Sequence, residues 1–251
     1  MELIIMNKVL VTGASGFIGR NLTSYLKNRN VDVIEHNRIH SLTSLKKKLK
    51  SCDFIFHLAG EVRPRSTEES FVLSNVTLTE YILDNLVNYG KKPILLSSTI
   101  HAERSSGGQY GISKKAAEEL VKKYSIENGI SSYIYRLPHV FGEGCKPNYN
   151  SAISTWIYNI INGIPINIYD RSIKITYVYV QDIVCDFYEC ISIQNDKLNY
   201  MEAGKSFEVT LGEVEDYLLE FRENTLCNKT IFFENEFKNK LFKVFKYYYE
   251  K

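Results

Sequence analysis

The stretch VLVTGASGFIG, from Val9 to Gly19, decides the fold of this chain. An apolar strand, predicted over Ile4–Val11, runs into three glycines spaced G-x-x-G-x-x-G, and an amphipathic helix follows. In this spacing Gly13 permits the tight turn, Gly16 lets a pyrophosphate approach the backbone, and Gly19 lets the helix pack close to the strand. The stretch therefore predicts a dinucleotide site, an ordinary strand-turn-helix without ligand being the alternative. The residues expected to contact the phosphates are Gly13, Ser15, Gly16, Phe17 and Ile18.

Composition and charge argue against several classes of protein. The 251 residues are 44% hydrophobic, enough for one large α/β domain or a domain with a small appendage. A net charge of +2 argues against nucleic-acid binding, and no apolar run reaches the roughly 18 residues of a membrane span. The five cysteines lack C-x-x-C spacing and suit free thiols in a reducing compartment, and no histidine pair has metal-ligand spacing. We therefore expect a cytoplasmic protein without metal, membrane or nucleic-acid partner.

Predicted strands and helices alternate along the chain, which is typical of a parallel sheet covered on both faces, the Rossmann-type doubly wound α/β class. The strands are predicted at Ile4–Val11, Val31–Glu35, Asp53–Ala59, Ile94–Ser98 and Ser132–Arg136, with strand-like segments at Ile164–Tyr169 and Ile173–Val180. The helices are predicted at Gly16–Lys27, Leu42–Leu49, Asn75–Tyr89, Ser113–Glu127, Ile153–Ile161, Asp182–Ile193, Glu213–Phe221 and Glu234–Tyr248.

Beyond Leu137 the pattern changes to a long loop rich in glycine and proline. We predict a dinucleotide-binding domain over residues 1–141. A smaller substrate-binding part is predicted over 142–251, interleaved with the first domain around 175–195.

The segment Tyr110–Lys114 carries a Y-x-x-x-K pair after a predicted strand. At positions i and i+4 the two side chains share one helix face. The lysine charge is expected to lower the tyrosine pKa toward neutrality, and such a tyrosine can protonate a carbonyl oxygen while a hydride reaches the carbon. A hydroxyl donor is expected at the end of the preceding strand, where Ser98 is preferred and Thr99 and Ser97 follow.

In its motifs the chain resembles an extended short-chain dehydrogenase/reductase. The residues that carry this resemblance are Thr12–Gly19, His57-Leu58-Ala59-Gly60, Asn75, Ser97-Ser98 and Tyr110 with Lys114. The chain is further similar to the reductase part of a family of capsular-polysaccharide enzymes. That likeness rests on Gly60–Pro64, Tyr135–Gly142, Val209–Glu213 and, most specifically, on Cys145–Ser151.

The resemblance implies an NADPH-dependent reductase. That family reduces the C4 ketone of a UDP-2-acetamido-2,6-dideoxy-hexulose on the route to UDP-N-acetyl-L-fucosamine. It implies Tyr110 as proton donor, Lys114 as its activator and ribose anchor, and Ser98 as carbonyl donor. The further cofactor-binding residues implied are Leu58, Ala59, Gly60, Asn75, Pro138, His139 and Val140. Those implied for the UDP-linked 4-keto-6-deoxy amino sugar are Arg63, Thr99, His139, Asn148, Tyr149, Asn150 and Ser151.

Cofactor choice is predicted from the end of the second strand. An NAD site usually places an acidic residue on the ribose, whereas a nearby arginine accommodates the 2′-phosphate of NADP. Glu35 is acidic, but Arg38 follows three positions later. We therefore predict NADPH as the cofactor, with Arg38 on the 2′-phosphate.

Three alternatives share these motifs. A 4,6-dehydratase needs a carboxylate pair after the strand-end hydroxyl, where this chain has Ile100 and His101. A C4 epimerase uses the same Tyr-Lys pair but retains its nicotinamide. A cofactor-sensing regulator generally lacks the tyrosine or the lysine.

Two expectations concern partners. The similar family continues into a cupin domain assigned to C3 epimerisation, whereas this sequence ends at Lys251. We expect C4 reduction here and, where C3 must be inverted, a separate 3-epimerase. A homodimer is expected through the helices Asn75–Tyr89 and Ser113–Glu127.

Overall fold

The protein is described by a computed structural model that covers residues 8–63, 66–103, 107–193, 195, 197–226 and 233–251. The chain forms two compact units: unit 1 comprises Met1–Leu137 and Ile183–Gly204, and unit 2 comprises Pro138–Asp182 and Lys205–Lys251. The first break thus follows Leu137, against the predicted boundary after residue 141. No helix within the described ranges is long and apolar enough to cross a membrane.

The elements are numbered in chain order. The strands are β1 Lys8–Thr12, β2 Asp32–His36, β3 Phe54–His57, β4 Ile94–Thr99, β5 Ser132–Leu137, β6 His139–Phe141, β7 Lys174–Tyr179, β8 Leu198–Met201 and β9 Phe207–Thr210. The α-helices are α1 Phe17–Lys27, α2 Leu42–Lys50, α3 Glu68–Phe71, α4 Leu78–Tyr89, α5 Gly108–Asn128, α6 Ala152–Ile161, α7 Val180–Glu189, α8 Leu211–Leu226 and α9 Glu236–Tyr249. A π-helical turn, Val72–Thr77, joins α3 to α4, and a 3₁₀ turn, Ile100–Ala102, follows β4.

Unit 1 is built on a six-stranded sheet in the order β2-β1-β3-β4-β5-β8, in which all neighbouring strands are parallel. This confirms the predicted doubly wound fold class. Aliphatic side chains of the sheet, such as Leu10, Ile55 and Leu96, pack against α2, α4 and α5. The strand order reverses at β1, so Thr12 and His57 lie at the carboxyl ends of adjacent strands at the switch point, where ligands bind in such sheets.

Unit 2 has a three-stranded sheet, β6-β7-β9, in which β7 runs parallel to β6 and antiparallel to β9. Its core is aromatic and is shared with α6, α8 and α9. Its largest fully buried rings are Phe141, Phe221, Phe237 and Phe245.

Several predicted elements differ in the structure. Ile164–Tyr169 is not a strand, because Gly163 adopts φ +69° and Pro165 lacks the N–H that a ladder needs. The predicted helix at Ser113 begins at Gly108, so Tyr110 lies in its first turn. Asn75 lies in the π-helical turn and not in a regular helix. The sequence did not indicate β6, β8 or β9. The predicted strand residues 4–7 lie outside the described ranges.

Candidate active site

The turn after β1 has the geometry of a phosphate cradle. Gly13 adopts φ +68°, and a Cβ there would lie 2.8 Å from the Ala59 nitrogen. A Cβ on Gly19 would strike the carbonyl oxygen of Gly13. Helix α1 begins after Gly16 with no side-chain cap and no acidic residue in its first turn, so its N–H groups and dipole favour an anion. The chain therefore fits a dinucleotide pyrophosphate at this turn.

The end of β2 lies beside this turn. The Ser15 N–H donates to Oδ1 of Asn37 at 2.6 Å. Glu35 is held in an ion pair with Lys27 at 2.7 Å. The Arg38 side chain is 74% exposed and lies 3.4 Å from the carboxylate of Glu61. Near the end of β2, the guanidinium of Arg38 is thus exposed, whereas the carboxylate of Glu35 is already paired with Lys27.

Glu61 is a buried carboxylate that holds Arg63. Arg63 donates from Nε at 2.8 Å and from Nη2 at 2.6 Å, and the backbone N–H groups of Val62 and Arg63 each donate at 3.0 Å. These hydrogen bonds, those of Arg63 foremost, lower the pKa of Glu61 to about 2. Pro64, part of the quoted resemblance, lies outside the described residues.

His57 forms a fully buried network with two hydroxyl groups. The Thr79 hydroxyl donates to the carbonyl of Asn75 at 2.7 Å and therefore accepts from Nε2 of His57 at 2.9 Å. Nδ1 of the neutral ring then accepts from the Thr12 hydroxyl at 2.8 Å, and the Thr12 oxygen accepts from the Ala59 N–H at 3.2 Å. Burial lowers the pKa of His57 to about 3, so the ring is neutral and its tautomer is defined.

Asn75 connects the end of β3 to α5. Its Oδ1 accepts from the Glu61 N–H at 2.8 Å, and its Nδ2 donates to the Glu61 carbonyl at 3.1 Å and to the Ser113 hydroxyl at 2.9 Å. Ser113 in turn donates to the carbonyl of Tyr110 at 2.8 Å. A Cβ on Gly60 would lie 2.6 Å from Oδ1 of Asn75, so a larger residue there would displace the Asn75 side chain from these hydrogen bonds.

The Thr99 side chain lies close enough to the Tyr110 hydroxyl to act on the pKa of the tyrosine. The rings of Phe71 and His101 lie near the Tyr110 ring, with centroids 6.0 and 6.5 Å away. Burial raises the pKa of Tyr110 to about 12, although the Thr99 side chain opposes this. The expected lowering of the tyrosine pKa by lysine is therefore wrong for this structure, because Nζ of Lys114 donates to the Ser97 carbonyl at 2.8 Å and desolvation dominates.

Lys114 is itself buried, with 4% of its surface exposed. Burial lowers its pKa to about 8, and the negative charge of Glu118 partly offsets this effect. Near neutral pH the site therefore pairs a protonated tyrosine with a charged lysine.

Ser98, the preferred hydroxyl donor, faces a different partner. Its hydroxyl donates to Oε1 of Glu118 at 2.5 Å. Its neighbour Thr99 is the residue that interacts with Tyr110. The geometry thus favours Thr99, the second choice, because the hydroxyl of Ser98 is engaged inside the protein.

Sequence reasoning missed the partners of Ser98. Glu118 is fully buried and also binds Arg136, with 3.0 Å to its Nε and 2.7 Å to its Nη2. One signal was present: Glu118 lies four residues after Lys114, on the same helix face as the apolar Ala117 and Val121. A carboxylate on an apolar helix face indicates a buried partner.

The other predicted site residues belong to unit 2. His139 is exposed at the start of β6, with Pro138 and Val140 half-buried on either side. Asn148 has φ +56° and donates its N–H to Thr155 at 2.9 Å. The Ser151 hydroxyl caps α6. Tyr149 and Asn150 are exposed. The roles assigned to these residues stay predictions.

The described residues form neither a disulfide nor a cluster of metal ligands. Cys52, Cys145, Cys185 and Cys190 form no disulfide, whereas Cys227 lies outside the described ranges. Within those ranges no group of three His, Cys, Asp or Glu side chains could hold a metal ion.

Comparisons with known proteins match this architecture. The model of the NAD dependent epimerase/dehydratase family matches residues 9–192. A UDP-2-acetamido-2,6-beta-L-arabino-hexul-4-ose reductase from Pseudomonas aeruginosa is 40% identical over 219 residues, which cover 86% of this chain and 58% of that protein.

Among solved structures, the capsular polysaccharide assembling protein CapF from Staphylococcus aureus has a TM-score of 0.83 and 36% identity, covering 96% of this chain and 64% of CapF. The chain thus spans less than two thirds of either protein. MoeE5 in complex with UDP-glucose and NAD also has a TM-score of 0.83, over 97% of this chain and 99% of MoeE5. At 22% identity it shows the fold alone.

Proposed function

This chain belongs to the NAD dependent epimerase/dehydratase family, and we propose that it is an NADPH-dependent reductase of a nucleotide-linked keto sugar. The substrate we propose is a UDP-2-acetamido-2,6-dideoxy-hexulose with a ketone at C4. The similarity to the Pseudomonas reductase supports the substrate class.

One observation carries the reaction type: Tyr110 is buried and protonated, the Thr99 side chain lies near its hydroxyl, and Lys114 follows one helical turn later. Two hydroxyl groups can then approach a carbonyl oxygen together. Thr99 donates a hydrogen bond that polarises the ketone, and Tyr110 transfers its proton to the oxygen as the C4 carbon is reduced. The phenolate that remains takes a proton back from solvent, and Lys114 is proposed to anchor the ribose of the nicotinamide nucleotide.

The glycine turn would hold the pyrophosphate of the dinucleotide through Gly13, Gly16 and the first N–H groups of α1. A reduced nicotinamide bound there would supply the hydride. We propose NADPH over NADH because Glu35 is paired with Lys27 at 2.7 Å, while the guanidinium of Arg38 is 74% exposed. Arg63 and the unit 2 residues His139 and Asn148–Ser151 are proposed to bind the UDP-sugar.

Other activities of the family are less well supported. A dehydratase needs a second acid and base next to the polarising hydroxyl, but the two residues after Thr99 are Ile100 and His101. An epimerase would use the same Tyr110 and Lys114 but keep its nicotinamide through purification. A cofactor sensor would not need the buried lysine, which is costly to hold charged.

A homodimer is also proposed. Exposed apolar side chains lie within both ranges expected to form the contact: Val87 of Asn75–Tyr89 at 50% and Ile126 of Ser113–Glu127 at 68%. A 29.0 kDa monomer in light scattering at micromolar concentration would reject this part of the proposal.

The decisive experiment is to mix the purified protein with NADPH and the UDP-4-keto sugar and follow absorbance at 340 nm. Oxidation of NADPH with a C4 alcohol in the product, seen by NMR, is expected. Isomerised or dehydrated sugar without net NADPH oxidation would replace the proposal with an epimerase or dehydratase. Incubation in D₂O without NADPH should label C3 no faster than in a control without enzyme, because Tyr110 and Thr99 are proposed to act on the ketone oxygen and not on the C3 proton.

A further inference from the structure

Glu118 is a carboxylate that the proposed reaction does not use and that the fold nevertheless buries completely. Ser98 and Arg136 both donate to it. Lys115 lies 3.6 Å away at the rim. Burying a carboxylate is unfavourable unless it is paired and hydrogen-bonded, and here each of its two oxygens has a partner.

The contact with Ser98 acts on the end of β4. A hydrogen bond of 2.5 Å draws the Ser98 side chain toward α5. Because Ser98 and Thr99 are adjacent at the end of β4, holding Ser98 against α5 also fixes the backbone that carries Thr99, whose side chain acts on Tyr110. Glu118 therefore orients the polarising hydroxyl without touching it.

The second route runs through Lys114, one helical turn before Glu118. Its other described neighbours offer little compensation for a buried positive charge. The Ser97 carbonyl of β4 and the backbone at Gly60 are neutral, as is His57 of β3, while Tyr110 on α5 is protonated. Glu118 is the negative charge that favours the ammonium form, and it is shared with Arg136 of β5.

We propose, on the basis of the function proposed above, that Glu118 is a positioning residue of the active site, which orients the end of β4 through Ser98 and keeps Lys114 charged. Two substitutions separate its two actions. Glu118→Gln removes the charge but keeps an oxygen for Ser98, whereas Ser98→Ala removes the hydroxyl but keeps the charge. Glu119→Gln is the matched control, because Glu119 is exposed and pairs with Lys115 at 3.1 Å.

The first measurement is the titration of Lys114 by NMR in protein labelled at lysine Cε, with Lys114→Met to assign the signal. We expect Glu118→Gln to lower the pKa of Lys114 by about one pH unit, since a close opposite charge shifts a pKa by about one to three. Ser98→Ala and Glu119→Gln should leave it unchanged. If Glu118→Gln does not fold, the double variant Glu118→Gln/Arg136→Gln removes both charges and takes its place.

The second measurement is the pH profile of kcat/KM for keto-sugar reduction. In Glu118→Gln the fall of kcat/KM at high pH should occur at a lower pH, because Lys114 loses its proton there. Ser98→Ala should lower kcat roughly tenfold at every pH, because it misplaces the hydroxyl donor without changing the charge. A folded Glu118→Gln variant with unchanged Lys114 titration and pH profile would overturn the proposal. Because the titration needs no turnover, an inactive wild type would overturn the proposed function and still leave the effect of Glu118 on Lys114 decided.

Discussion

The two units of this protein bury different kinds of side chain. Among the residues that the structure describes, unit 1 buries His57, Asn75, Lys114 and Glu118 together with many hydroxyl groups. Unit 2 buries mostly apolar and aromatic side chains, with hydroxyl groups on Ser154, Tyr177 and Tyr179. Unit 2 instead packs aromatic rings, such as Phe221, against one another. Buried polar groups are stabilised only when they are hydrogen-bonded or paired. The core of unit 1 therefore depends on specific hydrogen-bond partners, whereas the core of unit 2 depends on side chains that fill its volume. Substitutions should therefore affect chemistry in unit 1 and stability in unit 2.

The largest effect is expected from Tyr110→Phe in unit 1. The substitution removes the proton donor with little change of shape, so the rate should fall on the order of 10²–10⁴-fold while NADPH binding persists. Single-turnover kinetics and a fluorescence titration with NADPH measure the two quantities. Tyr217→Phe, in the aromatic core of unit 2, is the control. Near-normal turnover in Tyr110→Phe would remove this residue from the mechanism.

The counterpart in unit 2 is Phe221→Ala. Phe221 is fully buried, with ring centroids of Phe233, Phe242 and Phe245 at 5.0–5.7 Å. The cavity should reduce the free energy of unfolding by about 3–5 kcal/mol, as measured by urea denaturation, and Phe221→Leu should lose less. NADPH affinity of the folded variant should not change. An affinity loss as large as the stability loss would contradict the division of roles between the units.

The burial of Lys114 should be measurable as a pH dependence of the free energy of unfolding. Its pKa is about 8 when folded against 10.5 for the free side chain. Between these values the unfolded chain binds more protons, so the free energy of unfolding should rise with pH there, by on the order of 3 kcal/mol. In Lys114→Met this rise should disappear, and at pH 7 the variant should be at least as stable as wild type but inactive. Equal slopes for the two proteins would show that Lys114 is not desolvated.

The smallest effect is expected at the exposed edge of unit 1. Arg38→Ala should reduce affinity for NADPH about tenfold, corresponding to about 1.4 kcal/mol, because one charge-assisted contact to the 2′-phosphate is lost. Affinity for NADH should not change. Calorimetric titration with both nucleotides tests this, with the exposed Arg222→Ala of unit 2 as control. Equal losses for NADPH and NADH would contradict a contact with the 2′-phosphate.

The same contrast explains how much could be predicted. In unit 1 the glycine spacing and the alternation of apolar strands with amphipathic helices are local signals, and they predicted the fold class and every strand of the sheet except the short β8. In unit 2 the strands β6 and β9 have three and four residues and depend on distant partners. No local pattern distinguishes such short strands from the apolar segment Ile164–Tyr169, which is not a strand.

Within the candidate site, motifs identified the neighbourhood but not the orientation of each group. Ser98 and Thr99 are adjacent hydroxyl residues, and the choice between them depends on which one a carboxylate of α5 engages. The direction of the Tyr110 pKa likewise depends on burial, which motif spacing does not encode. Such properties arise from packing between elements far apart in sequence.

The hydrogen bonds around His57 have a consequence for how unit 1 opens. Thr12, His57 and Thr79 come from three distant segments. Consecutive hydrogen bonds run from the Ala59 N–H through these three side chains to the Asn75 carbonyl, and each of them has a defined donor and acceptor. Reversing the direction of these hydrogen bonds would require two hydroxyl rotations and a tautomer change at the same time. If one segment separates alone, a buried polar group without a hydrogen-bond partner is therefore left on each side. The carboxyl ends of β1 and β3 should thus be lost together in a single cooperative opening, and the Ala59 amide should exchange with deuterium as slowly as the centre of the sheet.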